Sequence, residues 1–129
     1  MATDNTAFTL IVTKSPFDSR NAESALYFCK AAIAQGFAIE QVFFYQAGVQ
    51  NASLLQQVNS DEFDVYQAWL ELHEQQGVRL NVCTTAAGRR GIVSEECALN
   101  GNYNVNPPFE QVGLSDYFAA LTSSKGVQF

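Results

Sequence analysis

Three short runs of β-forming residues, set between stretches with helical spacing, limit most strongly what this chain can fold into. Residues 8–13 read Phe-Thr-Leu-Ile-Val-Thr, residues 39–45 Ile-Glu-Gln-Val-Phe-Phe-Tyr, and residues 79–83 Arg-Leu-Asn-Val-Cys. The first is almost continuously apolar, as a strand covered on both faces should be. Between the first two runs, Ala22, Ala25, Leu26, Cys29, Ala32 and Ile33 recur at helical spacing over 21–35, and Gly36 is placed to end that helix. Between the second and third, Val65, Trp69 and Leu72, flanked by Phe63, Tyr66 and Leu70, predict a helix with a wide apolar face closed by Gly77. Strands alternating with helices imply an α/β domain: a mainly parallel, four- or five-stranded sheet, helices on both faces, right-handed crossovers.

The connecting segments carry their own signals. Residues 1–7 read as a loose end. Ser15-Pro16 and Asp18-Ser19 mark a turn and a helix cap. The loop 46–52 leaves the carboxyl end of the second strand, a short helix is expected over 53–57, and Ser60-Asp61 can cap the helix that runs to about 75. Residues 92–99 read as helical or irregular with Ser94 as a cap, and 100–108, rich in Asn with Gly101 and Pro107-Pro108, as a loop. An edge strand over 109–112, a helix capped by Ser115 and a last strand over 126–129 complete one domain spanning 1–129.

Composition narrows the function. Hydrophobic residues make up 47% of the 129 and charged residues 16%, which is a globular balance. The 12% aromatic share serves the core or subunit contacts. Seven basic against thirteen acidic residues give a net charge of −6, which argues against direct binding of nucleic acid. Neither a signal peptide nor an apolar run of membrane-spanning length is expected. Three cysteines with no CxxC pair suit free thiols in a reducing cytoplasm, and a single His disfavours a metal site.

Cys83 is the candidate nucleophile. It stands at the carboxyl end of a predicted strand, where open α/β sheets place their ligand sites. The small residues after it can begin a helix, whose N-terminal amides favour an anion such as a thiolate. Arg89 and Arg90 follow as candidate supporting charges. Cys29 falls in a buried helical stripe and reads as packing; Cys97 follows Glu95-Glu96, whose charge disfavours a thiolate. His73 is expected at the opposite rim. Dinucleotide, phosphate-loop, receiver and serine-hydrolase signatures are missing. Three readings of Cys83 stand: a persulfide carrier with no metal or organic cofactor; a cysteine phosphatase or arsenate reductase using the Cys83-x5-Arg89 spacing; and a non-catalytic assembly subunit.

Beyond these patterns, the chain resembles the DsrE-type sulfurtransferase family. The resemblance rests on Val42-Phe43-Phe44-Tyr45 with Gly48-Val49 and Asn51-Ala52, on Ser60-Asp61-Glu62-Phe63-Asp64 with Ala68-Trp69, and on Leu80-Asn81-Val82-Cys83 with Ala86-Ala87 and Arg89-Arg90-Gly91. Gly113-Leu114 and the terminal Val127-Gln128-Phe129 extend it. It implies a cytoplasmic sulfur relay for 2-thiolation of the tRNA wobble uridine, with Cys83 as the active cysteine. It further implies a heterohexamer with homologous TusB-like and TusC-like subunits, a TusA-like sulfur donor and a TusE-like acceptor, without direct contact to nucleic acid or membrane. Related proteins of the family serve dissimilatory sulfur oxidation, which is the alternative pathway.

Overall fold

The computed structural model describes residues 6–129; the part of the expected loose end over 1–5 lies outside the described residues. Five strands, β1 (Ala7–Val12), β2 (Ala38–Phe44), β3 (Arg79–Cys83), β4 (Phe109–Val112) and β5 (Lys125–Gln128), form one sheet in the order β4-β3-β2-β1-β5. All four pairings are parallel. Four α-helices connect them: α1 (Asn21–Ala34), α2 (Val65–Gln76), the short α3 (Thr84–Arg89) and α4 (Leu114–Ala120).

The register sorts side chains to two faces. Leu10, Val42, Leu80 and Phe109 are partners across β1, β2, β3 and β4, and all are buried. On this face Phe8 meets Phe28 of α1 edge-on at 5.1 Å, and Phe44 meets Trp69 of α2 likewise at 5.1 Å. The opposite face carries Phe43, whose ring lies 5.4 Å from Tyr117 of α4. It is also the polar face. Thr9, Gln41 and Asn81 are buried on it, Asn81 Nδ2 donating to Gln41 Oε1 at 2.6 Å and Gln41 Nε2 to the Asp116 carbonyl of α4 at 3.3 Å. Thr9 and Ser124 join their hydroxyls. Helix α4 has no fully buried residue; Leu114 and Tyr117 pack against the core half-buried, and the Gln41 bond to the Asp116 carbonyl helps seat it.

Three boundaries depart from the sequence reading. No helix forms over 53–57; instead a 3-10 helix, Gln46–Ala52, precedes it. Gln56 Nε2 donates to the carbonyls of Gln50, Asn51 and Ser53, closing the end of that 3-10 turn and holding 53–57 irregular. Helix α2 starts at Val65 rather than after Ser60-Asp61, because Asp64 Oδ1 accepts from the Gln67 amide at 3.0 Å and Glu62 is spent on the Asn59 amide. Gly113, not Ser115, is the cap of α4, and Ser115 lies inside its first turn. The segment 92–99 is irregular apart from one 3-10 turn, Glu95–Cys97.

Cys29 packs in the core under α1 with no exposed surface, and burial pushes its thiol up to about 12 from 9.0. Between those values the unfolded chain releases a proton that the folded chain keeps, so folding loses stability as pH rises from 9 toward 12. At pH 10.5 the loss is about 2 kcal/mol. Thermal melts should therefore fall more steeply above pH 9 in the wild type than in Cys29→Ala. Parallel slopes in the two proteins would refute this.

Candidate active site

Cys83 ends β3 and is at once the N-cap of α3, with φ −62 and ψ 118. The placement follows from local chemistry. Leu80 and Val82 are buried against α2's side of the sheet, and alternation turns Asn81 and Cys83 to the other face. The chain then turns straight into helix because Ala86 and Ala87 are small enough to bury against the 3-10 segment Gln46–Ala52. Thr84 Oγ1 donates to the Val112 carbonyl at 3.0 Å, tying the start of α3 to the end of β4.

The thiol itself is sheltered. Cys83 is 4% exposed, and its side chain makes no capping hydrogen bond to α3. It lies at the carboxyl rim, where the β1–α1 and β2–α2 connections also leave the sheet. Those connections expose Phe17 and Phe63, which flank a cleft of about 380 Å³ also lined by Arg20 and Gln56. All three cysteines are free; Cys97 is half-buried in the 3-10 turn after Ser94.

The other candidates sit elsewhere. Arg89 and Arg90 are exposed at the far end of α3. At 1.5 Å per residue, that is about 9 Å along the axis from Cys83. Arg90 Nη1 donates to the Ala86 carbonyl at 3.0 Å, where a cation suits the helix C-terminus. The Cys83-x5-Arg89 spacing thus forms a helix, not a loop that wraps an oxyanion. His73 is on the last turn of α2, and its Nδ1 bonds the Val78 carbonyl at 2.9 Å, before β3 begins. Among the described residues no three His, Cys, Asp or Glu side chains group to hold a metal ion, and no helix is long and apolar enough to cross a membrane.

Sequence reasoning passed over Asn81. Its signal was available: an amide between the apolar Leu80 and Val82, two residues before Cys83 and therefore on the same face. Its partner Gln41 could not be foreseen without the register.

The family model described as DsrE/DsrF-like matches residues 6–129. Among curated proteins, Sulfurtransferase TusD of Cronobacter sakazakii is 44% identical over 126 residues, covering 95% of this chain and 98% of that protein. Sulfurtransferase TusD of Erwinia tasmaniensis is 43% identical over the same shares. Among solved structures, the ychN protein of E. coli superimposes with a TM-score of 0.77 at 18% identity, covering 96% of this chain and 99% of that one. That likeness concerns the fold.

Proposed function

The chain belongs to the DsrE/DsrF-like family, and on that premise we propose that it is a sulfurtransferase in which Cys83 carries sulfur as a persulfide. The observation that carries this reading is the position of Cys83: a cysteine at the carboxyl end of a parallel strand, leading directly into a helix, in a chain 44% identical to a named sulfurtransferase.

The chemistry needs no metal and no organic cofactor. The Cys83 thiolate attacks the outer sulfur of a donor persulfide, the S–S bond breaks, and the donor cysteine leaves with the electron pair as a thiolate. Cys83 then holds the sulfur as Cys–S–SH. An acceptor thiolate attacks that outer sulfur in turn and releases the Cys83 thiolate, so each step exchanges one S–S bond for another and no oxidant is consumed. Burial of the thiol keeps bulk thiols and oxidants away, and its place at the N-cap of α3 sets it beside the positive end of that helix.

The donor is a TusA-like protein and the acceptor TusE-like, with TusB-like and TusC-like subunits completing a cytoplasmic hetero-oligomer. The end use is 2-thiolation of tRNA wobble uridine, performed on tRNA by a later enzyme. An acidic chain of net charge −6 meets proteins more readily than tRNA.

Incubation with a persulfide-loaded donor, followed by intact-mass spectrometry, tests the proposal. Wild type and Cys97→Ser should each gain about 32 Da per sulfur atom, reversibly with reductant, and Cys83→Ser should gain none. A gain that survives in Cys83→Ser, or that vanishes in Cys97→Ser, would place the sulfur elsewhere.

A further inference from the structure

A cavity of about 990 Å³ lies beyond the amino half of β3, away from the Cys83 rim, and the sulfur chemistry does not use it. Leu70 of α2, together with Val105, Pro107 and Phe109, gives it an apolar floor. Four carboxylates, Glu74, Glu95, Glu96 and Glu110, line it beside a single arginine, Arg79. Among the described residues none of these carboxylates has a cation within 4.0 Å, so their charge is not neutralised by the chain itself.

A second observation points the same way. Asn81 is 2% exposed, yet it lines the cavity. Its Nδ2 is committed to Gln41 Oε1 on the β2 side, and its Oδ1 accepts no hydrogen bond from the described residues. Asn81 stands between Phe43 of β2 and Glu110 of β4. His73 also lines the cavity, its Nδ1 donating to the Val78 carbonyl at 2.9 Å.

The cavity is thus rich in acceptors and negative charge over an apolar floor. We propose that it docks a segment of a protein partner that carries an arginine or lysine next to apolar side chains. Nucleic acid is repelled by the carboxylates. A volume of 990 Å³ holds more than one side chain, and the apolar floor needs apolar neighbours that a free polyamine lacks. Tyr103, at the rim and 42% exposed, offers a ring face for a guanidinium. This surface stands apart from Cys83, and its occupancy does not depend on what Cys83 does.

The test is a titration of 15N-labelled full-length protein with the peptide acetyl-Gly-Arg-Leu-Arg-Gly-amide, read by amide chemical shifts. Saturable shifts should be confined to residues 70–81 and 94–111. The glutamine-for-arginine version of the peptide should bind at least about tenfold more weakly, as should the arginine peptide to Glu95→Gln/Glu96→Gln/Glu110→Gln protein. The same charge change placed outside the cavity, Glu23→Gln/Glu62→Gln/Glu71→Gln, should leave the affinity within about twofold. Shifts scattered over the surface, equal binding of both peptides, equal weakening by the two triple variants, or spermine binding as tightly as the peptide would each overturn the proposal.

Discussion

Replacing Gly48 with alanine should lower the stability of this protein by about 3 kcal/mol or more, despite adding a single methyl group. A Cβ at Gly48 would lie 2.7 Å from the carbonyl carbon of Val12, nearer still to its oxygen, and 3.2 Å from Thr13 Cα. These are backbone atoms at the end of β1, and the same Val12 oxygen accepts the Tyr45 amide at 2.9 Å. No side-chain rotation relieves the clash; the strand end and the 3-10 segment must part. The requirement is close approach and not an unusual dihedral, since Gly48 is absent from the positive-φ positions. For a chain of this size the cost corresponds to a melting temperature lower by roughly 10 °C. The 3-10 segment is also what α3 packs against, so the thiol of Cys83 should react faster with iodoacetamide in Gly48→Ala at a temperature where both proteins remain folded. An unchanged melting temperature would show that Gly48 tolerates a side chain and that the packing described here is wrong.

The fold was legible where a pattern repeats. Runs of β-forming residues and helical stripes gave β1, β2, β3, α1 and α2, and the short runs over 109–112 and 126–129 gave the two edge strands. Boundaries failed where two caps compete within a few residues. Ser60, Asp61 and Asp64 can all cap a helix, and the choice fell to Asp64 once Glu62 had turned back to Asn59. The 3-10 segment was read as loop because its stability comes from tertiary bonds through Asn51, which have no local signature. The position of Cys83 at a strand-to-helix turn was legible for a simple reason: a strand that ends in Cys followed by small residues admits few other shapes. The separation of Arg89 and Arg90 from it depends on α3 being helical, which Ala86 and Ala87 already favoured. The buried pair Gln41 and Asn81 depended on register between strands that sequence spacing does not carry.

Trp69 should be the most costly side chain to truncate. It is fully buried, edge-on to Phe44, and its Nε1 donates to Asn51 Oδ1 at 3.1 Å. Asn51 uses its own Nδ2 on the carbonyls of Gly48 at 2.8 Å and Lys14 at 3.3 Å. One indole N–H thus orients an amide that staples the 3-10 segment to the β1–α1 connection. Trp69→Ala removes both the ring and that donor, and the expected loss is about 4–5 kcal/mol, enough to unfold much of a marginal population. Trp69→Phe separates the two contributions. It keeps an aromatic ring against Phe44 but leaves Asn51 Oδ1 buried without its donor, for a loss of about 1–3 kcal/mol beyond the volume change. Urea unfolding of the three proteins measures both. The functional consequence follows from the geometry: Asn51 holds the floor on which α3 rests, so Trp69→Phe should also accelerate alkylation of Cys83 in the folded state, while Cys29, held in the core by α1, stays protected. If Trp69→Phe were as stable as wild type and Cys83 no more reactive, the indole would be packing alone, and the rim that presents Cys83 would owe its rigidity to something other than Asn51.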